Sequence, residues 1–190
     1  AAGIEPPRQV FAHGWWTIEG QKMSKSLQNI VEPNRLIDRF GADSIRYFLL
    51  REVPFGLDGD FSHQALIHRI NSALANDLGN LLSRVLTMIA RYNQSIIPSF
   101  HQMELADEKV IDKSREVISE VDEFMNELAF NRVLAKIWEL VASDNKYLDE
   151  MAPWNLLKQP GGGDRLDTVL YVSAEVLRIV SLLIFPFMPD

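Results

Sequence analysis

Residues 62–93, SHQALIHRINSALANDLGNLLSRVLTMIARYN, decide the fold, because their apolar side chains recur at intervals of three and four residues. This spacing is typical of one long amphipathic helix, with Ser62 as a favourable N-cap and Pro98 beyond its end. The apolar positions are Ile67, Ile70, Leu74, Leu78, Leu81, Leu82, Val85, Met88 and Ile89. Such a stripe needs other helices to pack against.

The rest of the chain supplies those helices. Two further amphipathic stretches are marked by Val110, Val117, Val121, Phe124 and Leu128, and by Phe130, Leu134, Ile137, Trp138 and Val141. A last helix is predicted from about Arg165 to Phe185, after a flexible linker at 161–163 that is all glycine. The linker lacks a following Lys-Ser/Thr pair and is therefore not a phosphate loop. We predict a mainly α fold, an antiparallel helical bundle.

The first part of the chain has a different pattern. Residues 9–17 are rich in β-forming side chains and precede a turn at Gly20. A helix is predicted from Pro33 to a C-cap at Gly41, and a second from about Ala42 or Asp43 until Pro54. Residues 54–61 are interpreted as a connector. The strand, the turn at Gly20 and the basic loop that follows form an element too small to bury Trp15 and Trp16 alone. We therefore interpret this element as the end of a larger domain.

Composition narrows the functional classes. The net charge of -7 argues against a protein that coats nucleic acid, although it leaves room for recognition of a few exposed bases. No cysteine is present and the four histidines are scattered, so we predict no metal site and no disulfide. No apolar run is long enough to span a membrane and no secretory signal is visible. We expect a cytoplasmic protein that has no membrane or DNA partner.

The stretch GQKMSKSLQN, residues 20–29, carries the clearest chemistry. Lys22 and Lys25 supply mobile ammonium groups, and Ser24 and Ser26 supply hydroxyl donors, which together suit a polyphosphate. Met23 has an alternative role, in which its side chain anchors the loop by packing.

This stretch resembles the KMSKS loop that closes over ATP in class I aminoacyl-tRNA synthetases. Three flanking segments resemble the methionyl-tRNA synthetase family in particular, namely FAHGWWT (11–17), GADSIRYFLLRE (41–52) and GDFS (59–62). The sequence departs from the family at Gln28, where glycine is common. The resemblance implies that Lys22, Met23, Ser24, Lys25 and Ser26 contact ATP, with Lys22 and Lys25 as the catalytic pair.

The same resemblance implies an anticodon site in the bundle. The segment NLLSR, 80–84, resembles the family's N-L-x-x-R, and its spacing of four places Asn80 and Arg84 on one helical face. The segment NKYLDEMAPW, 145–154, resembles a family segment ending in A-P-W, which implicates Asp149, Pro153 and Trp154. A core role is the alternative for Trp154, and is the one we favour for Trp138.

Because the family's first ATP motif, its methionine pocket and its metal-binding insertion have no counterpart in the sequence, we expect a fragment that is inactive alone and binds no cofactor. The full-length parent is expected to join L-methionine to tRNA(Met) through methionyl-adenylate, with ATP and Mg²⁺. Residues 1–61 would be the end of the catalytic domain with the stem-contact helices, and 62–190 the anticodon-binding domain. The alternative is a free-standing helical module that binds RNA or protein.

Overall fold

The structure, a computed structural model, describes residue 3 and residues 5–190. Residues 1, 2 and 4, which the sequence assigns to the strand-and-loop part, lie outside the described residues. Across the remaining chain the fold is mainly α, as predicted, with a small sheet near the N-terminus.

The sheet has three short strands in the order β2-β1-β3. β1 (Trp16–Ile18) pairs antiparallel with β2 (Gln21–Lys22) and parallel with β3 (Gly59–Phe61). The strand predicted over residues 9–17 is therefore too long, because only its last two residues lie in β1. The interpretation of 54–61 as a connector is wrong at its end, since β3 forms only by pairing with a strand about forty residues away.

Two helices follow the sheet as predicted. α1 (Pro33–Phe40) begins with a proline in its first turn, and α2 (Ala42–Glu52) ends before Pro54. Gly41 joins them with φ of 79°, a left-handed conformation that favours glycine, and its N–H donates to the carbonyl of Ile37 at 2.8 Å.

The long helix over 62–93 forms, but its middle is wider than an α-helix. α3 (His63–Arg69) is capped by Ser62, whose hydroxyl accepts from Ala65 N–H at 3.0 Å. A π-helical segment (Ile70–Gly79) follows and leads into α4 (Asn80–Tyr92). Within this segment the carbonyls of Ala73 and Asp77 accept hydrogen bonds from the side chains of Trp138 and Asn145.

The bundle is completed by three long helices and one short helix. These are α5 (Leu105–Asn126), α6 (Phe130–Met151), the short α7 (Pro153–Leu156) and α8 (Gly162–Ile184). The prediction of an all-glycine linker is wrong for two residues of the three. Only Gly161, with φ of 72°, lies in the turn, whereas Gly162 and Gly163 form the first turn of α8.

Two apolar cores result. The larger lies between α4, α5, α6 and α8, and includes Leu134, Ile137 and Val169, all fully buried. The smaller lies under the sheet and contains Leu36, Ile45, Phe48, Phe61 and Leu66. α2 joins them, because its Phe48 belongs to the smaller core and its Tyr47 packs on Trp138 of α6, with ring centroids 4.6 Å apart. Among the described helices, none has the length and apolar character that crossing a bilayer requires.

Candidate functional site

The lysine loop, as we name residues 20–29, projects from the edge of the small sheet. Lys22 is the last residue of β2 and Lys25 opens the following turn, in which Gln28 N–H donates to the Lys25 carbonyl at 3.3 Å. Both lysine side chains are exposed, and neither forms an ion pair with any residue that the structure describes. Two unneutralised ammonium groups are thus available to an anionic ligand.

Asn29, which sequence reasoning did not single out, holds the base of the loop. Its Oδ1 accepts from Ser24 N–H at 2.8 Å and its Nδ2 donates to the Lys22 carbonyl at 3.1 Å. The hydroxyls of Ser24 and Ser26 lie 2.7 Å apart. One amide side chain therefore replaces the ladder hydrogen bonds that the loop lacks.

Gln28 stands where the family commonly has glycine, and its backbone is left-handed, with φ of 53°. A side chain in this region is strained by roughly 1 kcal/mol or more. The local conformation thus gives a physical reason for a glycine at this position.

Asp60 supports the loop from the neighbouring strand. Its Oδ1 accepts from Thr17 Oγ1 at 2.6 Å and from Gly20 N–H at 2.8 Å. The hydrogen bond from Thr17, then that from Gly20, hold the pKa of this carboxyl below its usual value. Asp60 therefore ties the β1–β2 turn to β3. The segment GDFS was noticed only as a resemblance, and nothing local in it shows this contact.

Met23 faces the smaller core. It is half-buried and lines an apolar groove together with Trp16, Leu36 and Phe61. The packing role considered for Met23 thus fits its position.

The second cluster lies where α4 meets the end of α6. Asn80 is exposed and Arg84 half-buried, one helical turn apart as the spacing predicts. Arg84 Nη2 donates to Asp149 Oδ1 at 2.6 Å, and its Nη1 lies 3.4 Å from Asn145 Oδ1. The structure therefore brings together three residues from the two motifs, with the Arg84 guanidinium oriented by an acceptor on the neighbouring helix.

Trp154 follows Asp149 by five residues along the chain, on α7. Its ring is 45% exposed, which excludes a role as a buried core residue. Ala152 ends α6 in a left-handed conformation, with φ of 44°, and Pro153 then occupies the first position of α7. Pro153 itself is buried, so it fixes the backbone before the ring and does not offer a surface to a ligand.

Trp138 behaves as the core residue predicted. It is half-buried against Tyr47, and its Nε1 donates to the carbonyl of Ala73 at 3.2 Å. Asn145 Nδ2 likewise donates to the carbonyl of Asp77 at 3.2 Å. Two side chains of α6 therefore bind carbonyls of the π-helical segment just before Asn80.

A buried ionic network joins the start of α5 and the start of α8 to the last turns of α6. The Asp107 carboxylate accepts from Arg165 Nη1 at 2.6 Å, from Arg165 Nη2 at 2.8 Å and from the Tyr147 hydroxyl at 2.5 Å. Burial by itself raises the pKa of Asp107, but the hydrogen bonds from Arg165, Tyr147 and the N–H of Glu104 outweigh it and lower the pKa below its usual value. Burial also raises the pKa of Tyr147, which therefore stays a neutral donor.

Asp144 is a second buried carboxyl, between α6 and α8. Its Oδ1 accepts from Ser173 at 3.0 Å, and its Oδ2 has no partner among the described residues. Burial raises the pKa of Asp144 to about 7, although the hydrogen bond from Ser173 and the charge of Arg84 act in the opposite direction. No sequence signal separated this aspartate from the exposed ones.

Within residue 3 and residues 5–190, no group of three or more His, Asp or Glu side chains is arranged to hold a metal ion. The absence of a metal site remains a prediction.

Comparison with known proteins identifies the family of both parts of the chain. Residues 1–86 match the family described as tRNA synthetases class I (M), and residues 107–190 match the anticodon-binding domain of tRNA ligase. The chain is 53% identical over its full length to the methionine–tRNA ligase of Caldanaerobacter subterraneus, and 44% identical to that of Thermotoga maritima. It spans about 30% of the length of both relatives.

Solved structures give the same result at the level of fold. The chain superposes on Mycobacterium tuberculosis methionyl-tRNA synthetase in complex with methionyl-adenylate with a TM-score of 0.93 and 43% identity, covering 99% of this chain and 37% of that one. The apo form of the same synthetase gives a TM-score of 0.88 at 40% identity, covering 98% and 36%. Sequence and fold together show that the chain belongs to the methionyl-tRNA synthetase family.

Proposed function

We propose that this chain serves, within a methionine–tRNA ligase, as the part that closes over ATP and reads the anticodon of tRNA(Met). The observation that carries the proposal is the hydrogen bond that joins Arg84 of α4 to Asp149 at the end of α6, followed five residues later by the exposed ring of Trp154. The whole ligase would join L-methionine to the tRNA through methionyl-adenylate, in the cytoplasm.

The lysine loop fits the triphosphate of ATP, the substrate that would arrive with Mg²⁺. Exposed Lys22 and Lys25 would stabilise the charge that develops on the α-phosphate and the leaving pyrophosphate, and Ser24 and Ser26 would donate to phosphate oxygens. Met23 lines the apolar groove beside the smaller core and would fix the point from which the loop moves. The chain alone is not expected to catalyse methionine-dependent exchange of pyrophosphate into ATP.

The anticodon site would work by stacking and hydrogen bonding. An unpaired base can leave its stack and lie on the Trp154 ring, while Asn80 and Arg84 offer donors to base edges or phosphates. Asp149 would orient Arg84, and the negative charge of Asp149 would disfavour phosphates placed close to this carboxylate. Pro153 would hold the ring in place before RNA arrives.

The division of labour follows the two regions. We propose that residues 1–61 complete the catalytic domain and contact the tRNA stem, and that 62–190 form the anticodon-binding domain. The sharing of α2 between the two cores would couple them.

The experiment compares two tryptophans. Trp154→Ala is expected to weaken binding of an RNA stem-loop with the CAU anticodon by about 5- to 150-fold, the effect of losing ~1 to 3 kcal/mol of stacking, with little change in the thermal midpoint. Trp138→Ala is the matched control and is expected to cost ~3 to 5 kcal/mol of stability because the ring is packed and hydrogen-bonded. Equal affinity of wild type and Trp154→Ala for the CAU stem-loop would contradict the anticodon role.

A further inference from the structure

Gly162 lies where the start of α8 meets the short helix that carries Trp154. It is buried, in contrast to its exposed neighbour Gly163. A Cβ atom added at 162 would overlap the carbonyl group of Leu156, the last residue of α7, whereas a Cβ at 163 would meet nothing within 4 Å. α8 therefore approaches the backbone of α7 more closely than any side chain would allow.

The two sides of this contact differ in how firmly they are held. α8 is fixed one turn further on by Arg165, which binds buried Asp107 and also donates to Met151 Sδ at 3.1 Å. α7 is a single turn whose only buried residue is Pro153. An added methyl group at 162 would consequently displace α7, because the ion pair prevents α8 from yielding.

The displaced carbonyl belongs to a closed turn. Leu156 O accepts from Gln159 N–H at 2.9 Å, and Gln159 O accepts from Gly162 N–H at 3.1 Å. Movement of Leu156 therefore carries the whole turn from Pro153 with it, including Trp154 two residues earlier.

We propose that Gly162 is a positioning residue for anticodon recognition, which sets the place of the Trp154 ring by allowing α8 to pack directly on the α7 backbone. This inference rests on the proposed function and deepens it. It also explains why glycine occupies the first position of α8, since a Cβ atom there would overlap the carbonyl group of Leu156.

The test uses the 190-residue chain with 5-fluorotryptophan at its four tryptophans and records ¹⁹F spectra. Trp154→Phe assigns the Trp154 resonance. In Gly162→Ala only that resonance is expected to shift, and in Gly163→Ala none. Loss of all four resonances in Gly162→Ala would overturn the proposal, since Gly162 would then support the entire bundle. An unmoved Trp154 resonance would also overturn it.

Binding of the CAU stem-loop completes the test. Gly162→Ala is expected to weaken binding at least ~5-fold, whereas Gly163→Ala stays within about 2-fold of wild type. The double variant with Trp154→Ala is expected to bind no more weakly than Trp154→Ala alone, because Gly162 acts through that ring. Additive losses would assign Gly162 a merely structural role. If Trp154→Ala itself binds as wild type does, the proposed function fails, while the ¹⁹F result still decides whether Gly162 positions the ring.

Discussion

The lysine loop and the helical bundle are held in place by different means. The loop depends on one amide side chain, Asn29, and on Asp60 at the surface, above a core of five buried residues. The bundle encloses a far larger core and a buried ion pair between α5 and α8. The loop that we propose to close over ATP thus rests on weakly held backbone, and the anticodon site that we propose rests on rigid helices.

The largest effect is expected where the bundle's rigidity originates. Asp107→Ala removes the buried partner of Arg165, whose side chain is only 14% exposed, and should lower the free energy of unfolding by ~3 to 5 kcal/mol. Urea denaturation measures the change.

Asp112→Ala on the same helix is the control for this experiment. Its partner Arg115 is 74% exposed, and an exposed pair of this kind is worth less than about 1 kcal/mol. Equal losses in the two variants would show that the buried network is not what holds α5 to α8.

The next effect concerns the loop in the complete ligase. Lys25→Ala is expected to raise the activation free energy of adenylate formation by ~2 to 4 kcal/mol, which lowers the rate about 30- to 900-fold. The affinity for methionine should be nearly unchanged, because the lysine acts on charge that develops during the reaction. Stopped-flow measurement of adenylate formation gives the rate.

Lys109→Ala, an exposed lysine of α5, should leave the rate of adenylate formation unchanged. An unchanged rate in Lys25→Ala would remove the catalytic role of the loop.

Stability of the bundle should depend on pH through Asp144. Because its pKa in the folded state is about 7, the folded protein binds more protons than the unfolded chain between about pH 4 and 7. The free energy of unfolding should therefore fall as pH rises through this window, by up to ~1.4 kcal/mol per pH unit.

Asp144→Asn should abolish that slope, as measured by urea denaturation at pH 4.5, 5.5 and 6.5. Asp107 acts in a separate window, because its lowered pKa gives stability that is lost only as pH falls below the usual value for aspartate. A slope that persists in Asp144→Asn would assign it to other groups.

The sequence predicted the helices well, because periodic apolar side chains and residues such as Ser62, Pro33 and Gly41 act locally. It missed β3 and predicted the first strand too long. The extent of both strands depends on pairing between residues that are distant along the chain. The π-helical segment was missed for a related reason, as the carbonyls of Ala73 and Asp77 find their donors on α6.

For the candidate site, the motifs identified the exposed groups but not their supports. Lys22, Lys25 and Trp154 are exposed as their proposed roles require. Asn145 works through contacts across the fold, and Asn29 and Gly162 through contacts with residues five to seven positions away, none of which a spacing in the sequence reports. The contacts assigned to ATP and to the anticodon remain predictions.

The smallest effect is expected at Gln28, where the family's glycine can be restored. Gln28→Gly relieves the strain of φ at 53°, worth roughly 1 kcal/mol, but adds a similar conformational entropy to the unfolded chain. The free energy of unfolding should therefore change by less than about 1 kcal/mol, while the loop gains freedom and a protease specific for lysine cuts after Lys25 sooner. Gln21→Gly is the matched control, because Gln21 lies in β2 opposite Ile18, where glycine only weakens the strand. If Gln28→Gly destabilises the protein as much as Gln21→Gly does, residue 28 has no need of a left-handed backbone, and the family's glycine has another cause.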